Sequence, residues 1–382
     1  MIRVLFVFGT RPEAIKLAPV TRRLRNNPRD FEVRIAVTAQ HRGMLDQVLD
    51  AFALKPDHDL NLMQPGQTLF QSTSRIVAAL EPVLQQEQPH IVLVQGDTTT
   101  TLCGALAAFY AGVPVGHVEA GLRTGDPREP FPEEMNRVLT SRLATLHFAP
   151  TEAAAENLRG ESVDSARIFV TGNTGIDAVL DIRDSLAAGR LKPAQAITLD
   201  PRKKLILVTA HRRESFGEGF ERIACALARL ALRPDTEVIY PVHPNPQVRE
   251  PILRNLSDTA VRLIDPLSYV DFVDLMCRAH FLLTDSGGVQ EEAPSLGKPV
   301  LVMREKTERP EAVESGTAVL VGTDEAKIQN EANLLLDDAA EYQRRSRIHN
   351  PYGDGQASRR IESHLQSSFH HSSQRVQHDS VS

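Results

Sequence analysis

Short apolar runs rich in β-branched residues alternate along this chain with longer segments of helical periodicity. Val4–Phe8, Val33–Thr38, Ile91–Gln95, Val115–Val118, Leu146–Ala149 and Ile168–Val170 predict strands in the first half. Leu205–Thr209, Val238–Val242, Val261–Ile264, Phe281–Thr284, Val300–Met303 and Ala318–Val321 predict strands in the second. Leu69–Gln86, Thr98–Tyr110, Glu218–Leu232 and Val270–Arg278 are among the predicted helices. Strands that are apolar throughout, separated by helices, imply parallel sheets covered on both faces.

The alternation is weakest at Ser185–Lys203, rich in Gly, Ala, Pro, Lys and Arg. The inter-domain connection is expected there or shortly before. The halves echo one another. "LVQGDTTTTLCGALAAFYAGVPVGHVEAG" and "LLTDSGGVQEEAPSLGKPVLVMRE" both run strand, polar loop, helix, strand, acidic loop. The fold expected is α/β, with two similar doubly wound, Rossmann-like parallel-sheet domains facing a cleft. Ligands of such sheets bind beyond the carboxyl ends of the strands. The segment from about Ser367 onward, residues 367–382, is polar and aperiodic and reads as a disordered tail, its His370–His371 pair incidental.

Composition narrows the function classes. A chain of 382 residues favours two domains over one. A net charge of -6 offers no overall electrostatic footprint for nucleic acid. No apolar run reaches the ~18 residues needed to span a membrane, so no membrane association is expected. The opening "IRVLFVFGT" reads as a buried strand, not a signal peptide. Cys103, Cys225 and Cys277 are few and widely spaced, which suggests a reducing compartment and no structural zinc. Each lies in an apolar helical context, where core packing is expected.

The chemistry lies at the strand ends. In "FLLTDSGGVQEEAPSLGKPVLV", Ser286, Gly287 and Gly288 follow a strand and open a helix. Free amides and the helix dipole there favour an anion such as a diphosphate. Glu291 and Glu292, one turn in, suit a neighbouring ribose diol; an acidic first turn that merely stabilises its helix fits the stretch equally. "FVFGTRPEAIKLAP" supplies Arg11 and Lys16, and "LVTAHRRESFGEGF" supplies His211, Arg212 and Arg213, as cationic partners for a diphosphate. The third glycine of a dinucleotide fingerprint is missing, and no GxxxxGK[ST], HExxH or GxSxG occurs. Hydride transfer and ATP hydrolysis therefore lose support. Asp97, Glu119, Glu133 and Glu134 stand at strand or helix starts of the first half. Any one of them could be a cap or dipole partner. Together they suggest acid–base work on a sugar carbon.

These loops resemble the non-hydrolysing UDP-N-acetylglucosamine 2-epimerases. The resemblance runs through "FGTRPEAIKLAP", "GDTTTT", "HVEAGLRTGD", "PEEMNR", "HRRESFG" and "VHPNP" to "TDSGGVQEEAPSLGKPVLVMREKTERPEAV". Ala210 departs from the glycine often found before the histidine of the fifth motif. The resemblance implies a GT-B architecture. Its N-terminal domain would cover 1–172 and its C-terminal domain 173–354, with a helix at about 355–366 returning to the first. It further implies a cytoplasmic homodimer that interconverts UDP-GlcNAc and UDP-ManNAc with no redox cofactor; the sequence shows no dedicated metal-ligand cluster, and metal dependence stays open. By motif, Asp97, Glu119, Glu133 and His211 resemble the catalytic set. Arg11, Lys16, Ser286, Gly287, Gly288 and Glu292 would hold UDP, with Phe272 near the uracil. Gln40, Gln67, Arg212 and His243 lie in stretches that resemble a second, activating UDP-GlcNAc site. A hydrolysing epimerase, a GT-B glycosyltransferase and a non-catalytic UDP-sugar sensor are the alternatives.

Overall fold

The structure is a computed structural model describing residues 1–39, 42–64, 66–212, 216–307 and 309–379. The chain forms two compact units, Met1–Ala178 with Tyr352–Ser382 and Val179–Pro351. The first division falls inside helix Thr174–Ala187, six residues after the expected 172/173 boundary.

The first unit holds β1 (Ile2–Phe8), β2 (Phe31–Val37), β3 (His58–Asp59), β4 (Ile91–Gln95), β5 (Val115–Val118), β6 (Leu146–Ala149) and β7 (Ile168–Val170). They pair in parallel in the order β3-β2-β1-β4-β5-β6-β7. The second unit holds β8 (Lys204–Thr209), β9 (Thr236–Pro241), β10 (Arg262–Ile264), β11 (Phe281–Thr284), β12 (Val300–Val302) and β13 (Ala318–Leu320). They pair in parallel in the order β10-β9-β8-β11-β12-β13. Both sheets are doubly wound and reverse direction at one point, β1/β4 in the first unit and β8/β11 in the second. These crevices are where such sheets bind ligands. β4, β5, β6 and β11 are buried at every position, as helices on both faces require. The two-residue β3 was not expected; its His-Asp sequence carries no apolar signal.

Local chemistry sets the helix starts. Helix Arg11–Arg25 opens on Thr10, which forms a reciprocal capping box with Glu13, and it ends on Arg22, Arg23 and Arg25. Helix Glu218–Ala231 buries Phe220, Ile223, Ala224, Leu227 and Leu230. That spacing turns Cys225 outward, so the expectation that all three cysteines pack in the core fails there: Cys103 is buried, Cys277 intermediate and Cys225 exposed.

The C-terminal helix spans Ala357–Asp379, so residues 367–379, expected as a disordered tail, are helical here, and 380–382 lie outside the described residues. Asp177 accepts from the amides of Ala357 and Ser358 at 3.1 and 2.9 Å and from the Ser358 hydroxyl at 2.6 Å. Glu362 meets Arg23 at 2.5 Å, and His364 stacks on Phe169 at 4.1 Å. These contacts fix the helix to the first unit.

His117 and His147 stand in register on β5 and β6, both buried. Burial pushes His117 down to about 3 and His147 to about 4. Both lie below the ~6.5 of an unfolded histidine, so the unfolded chain binds more protons as pH falls. Their contribution to stability is complete above about pH 6.5 and is lost as pH falls towards about 4. The urea midpoint should therefore drop over this range, and the drop should shrink in His147→Gln. An unchanged pH dependence in that variant contradicts this assignment.

Candidate active site

In the first unit, the helix after β1 carries Arg11 and Lys16, the loops after β4 and β5 carry Asp97 and Glu119, and Glu133 starts helix Glu133–Leu143. Two of these carboxylates are held by cations. Lys16 Nζ lies 2.5 Å from Glu119 Oε1, and Arg137 lies 2.7 Å from Asp97 Oδ2. Asn136 Nδ2 donates to the Asp97 carbonyl at 2.9 Å, tying that loop to helix Glu133–Leu143. Glu133 is half-buried. Its neighbour Glu134 accepts from the Thr124 and Gly125 amides at 3.0 and 3.1 Å and so holds a loop. Arg11, half-buried, is the first residue of its helix.

Sequence reasoning missed Glu13, Gln95 and Arg137 here. Glu13 accepts from the Gly9 and Thr10 amides at 3.0 and 2.7 Å and from the Thr98 and Thr101 hydroxyls at 2.7 and 3.2 Å. It thereby ties the Gly9–Thr10 turn ahead of Arg11 to the segment that follows Asp97. Burial raises its pKa, and the hydrogen bonds from Thr98, Thr10 and Gly9 oppose the rise. The Thr-x-x-Glu capping signature of Thr10 and Glu13 was legible and could have found it.

In the second unit, Asp285 organises the crevice. It is fully buried, and its Oδ2 accepts from the amides of His211 and Arg212 at 2.6 and 2.7 Å. His211 Nδ1 lies 3.4 Å from Oδ1, and the His211 ring stacks on that of His243 at 5.4 Å. Ser286 caps helix Gly287–Glu292 through its backbone position alone; its side chain makes no capping hydrogen bond.

The two glycines differ. A Cβ on Gly287 would meet the Arg309 guanidinium carbon at 3.0 Å, whereas a Cβ on Gly288 would meet nothing within 4 Å. Protein packing thus explains Gly287 and leaves Gly288 unexplained without a ligand. Glu291, considered for the ribose, pairs with Arg309 at 2.9 Å and is structural. Glu292 is also buried. Phe272, half-buried, lies on helix Tyr269–Arg278.

The candidate activator residues come from both units. Arg212 and His243 belong to the second unit's crevice, His243 being exposed. Gln67 accepts from Arg75 at 3.3 Å in the first unit. Gln40 lies outside the described residues, as does Arg213. Among the described residues no group of three or more His, Cys, Asp or Glu is arranged to hold a metal ion.

A profile described as UDP-N-acetylglucosamine 2-epimerase matches residues 22–366. The chain belongs to the UDP-N-acetylglucosamine 2-epimerase family. It is 58% identical over 366 residues to the enzyme of that name from Escherichia coli K12, covering 94% of this chain and 97% of that one. The Neisseria meningitidis UDP-GlcNAc 2-epimerase, solved bound to UDP-GlcNAc, superposes with a TM-score of 0.85 at 47% identity, covering 96% of this chain and all of that one. Staphylococcus aureus MnaA, solved with UDP, matches with a TM-score of 0.85 at 47% identity over 97% of each chain. The protein is an isomerase of this epimerase family, with a GT-B-like pair of parallel-sheet units.

Proposed function

We propose that this epimerase is non-hydrolysing: it inverts C2 of UDP-GlcNAc reversibly to give UDP-ManNAc, by eliminating UDP and adding it back. The C2 hydrogen is not adjacent to a carbonyl, so a carboxylate cannot remove it directly. As the C1–O bond to UDP breaks, positive charge grows at C1 and acidifies that hydrogen. Anti-elimination leaves 2-acetamidoglucal and UDP. Re-addition of UDP, with a proton delivered to the opposite face of C2, completes the inversion.

The observation that carries this reading is the placement of Asp97 and Glu119 just beyond the ends of the neighbouring strands β4 and β5, each held by a cation. Such preorganised carboxylates suit a developing oxocarbenium ion and proton transfer at the neighbouring carbon. Glu133 and His211 complete the proposed catalytic set. Arg11, Lys16, Ser286, Gly287 and Gly288 would bind the diphosphate, Glu292 the ribose and Phe272 the uracil. The ligands in the Neisseria and Staphylococcus structures support a UDP-sugar. Incubation with UDP-GlcNAc should yield UDP-ManNAc by proton NMR, with no accumulation of free ManNAc. Free ManNAc with UDP as the main products would make the enzyme a hydrolase.

Gly288→Ala isolates the nucleotide site. Since a Cβ there meets no protein atom, thermal stability should hold while UDP affinity falls about tenfold or more, equivalent to about 1.4 kcal/mol. Unchanged affinity by calorimetry contradicts close approach of a phosphate.

The wider reading places the enzyme in the cytoplasm, supplying ManNAc for bacterial surface polysaccharide, with a second UDP-GlcNAc acting as activator through Gln40, Gln67, Arg212 and His243. It also takes the enzyme to be a homodimer. Exposed Phe70, Phe109, Tyr110 and Leu139 on helices Leu69–Glu87, Thr99–Tyr110 and Glu133–Leu143 support that state. A monomer in sedimentation at micromolar concentration contradicts it. Loss of activation by added UDP-GlcNAc in Gln67→Ala would support the activator site, and unchanged activation would remove Gln67 from it.

A further inference from the structure

Glu119 follows β5 directly, and its backbone has φ 63°, in the left-handed region a side chain adopts only where its surroundings impose it. Both carboxylate oxygens have a donor. Lys16 Nζ takes Oε1 at 2.5 Å. Gln95, the buried last residue of β4, donates Nε2 to Oε2. Gln95 is in register with Val118, so its amide reaches across to the loop leaving the neighbouring strand.

The same two strand ends are also tied by bonds running in both directions. His117 on β5 donates from Nε2 to the Gly96 carbonyl at 2.7 Å, and the Gly96 amide donates to Val118 at 3.0 Å. Burial keeps His117 neutral, which leaves one ring hydrogen, and a carbonyl partner places it on Nε2. Gly96 has φ 72° and leads into Asp97. The β4 and β5 ends are thus cross-braced. The brace through Gln95 is the one that ends on a carboxylate.

We infer that Gln95 is a positioning residue for epimerisation, fixing the orientation of the Glu119 carboxylate together with Lys16. A carboxylate that must face a developing positive charge gains from being held before the charge appears. A buried amide does this without setting a second cation beside Lys16 on the same carboxylate. Glutamine also outreaches asparagine by one methylene, which is what crossing to the neighbouring loop requires. The inference rests on the proposed role of Glu119 at the sugar.

The experiment compares Gln95→Met, Gln95→Glu and Glu119→Gln in the full-length enzyme. Methionine retains size and burial and removes the donor. It should lower kcat about tenfold or more, as expected for one hydrogen bond to a charged group, with Kd for UDP and Tm near the parent values. Glutamate sets a like charge against Oε2, which disfavours ionised Glu119, so the acidic limb of the kcat/KM profile should move to higher pH by about one unit or more. If Glu119→Gln is inactive while Gln95→Met keeps kcat within about twofold, Gln95 only packs and the inference falls alone. If the Gln95 variants lose activity, UDP binding and Tm together without movement of the pH profile, the role is structural. If Glu119→Gln turns over like the parent, the role of Glu119 is wrong and the inference fails with it.

Discussion

Asp97→Asn should abolish most turnover and leave UDP bound. The substitution keeps side-chain size, and the Asn136 bond to residue 97 survives because it is made to the main-chain carbonyl. Arg137 loses its 2.7 Å partner but keeps Glu134 at 3.4 Å, so no buried cation is stranded. What disappears is a carboxylate able to accept a proton. Loss of a positioned general acid–base group lowers kcat by about 10²–10⁴-fold. UDP affinity should stay within about tenfold, or about 1.4 kcal/mol, because the nucleotide is assigned mainly to the second unit. Steady-state kinetics and calorimetry with UDP read the two quantities separately. Collapse of both would give Asp97 a folding or binding role instead.

Asp285→Ala should act in the opposite way, through stability and binding before chemistry. Its carboxylate is fully buried and satisfies two consecutive backbone amides, those of His211 and Arg212. Alanine leaves both donors without that acceptor and frees the loop carrying His211. A buried donor deprived of its partner costs about 1–3 kcal/mol, so urea unfolding should show a loss of about 2–4 kcal/mol for the pair. UDP affinity should fall in parallel, and Asp285→Asn, which retains one acceptor oxygen, should recover part of both losses. A variant with parent stability and parent UDP affinity contradicts this role.

The strands were legible because a parallel strand buried on both faces is an uninterrupted apolar run, as "IVLVQ" and "FLLT" are. β3 has no such run and escaped. Candidate catalytic residues such as Asp97 announce themselves as polar side chains at strand ends. Residues that hold another residue do not. The bond from Gln95 to Glu119 becomes visible only once β4 and β5 are neighbours. Likewise the partner of Glu291 is Arg309, brought back by the chain beyond β12. Asp285 directly precedes the Ser286–Gly288 stretch read as a diphosphate site, yet its carboxylate points to the β8 loop, across the β8/β11 pairing. Of the paired glutamates, Glu134 binds loop amides, and the sequence offered no way to choose it over Glu133. Helical phase alone, had it been applied to Cys225, would have placed that thiol outside the core.

The central claim is that the bond from C1 to UDP breaks and re-forms, so hydrogen at C2 exchanges with solvent. Incubation with UDP-GlcNAc in D2O, followed by proton NMR, tests it most directly. The account predicts deuterium at C2 of UDP-ManNAc and, as equilibrium is approached, of UDP-GlcNAc. UDP-ManNAc formed with its original C2 hydrogen intact would contradict it.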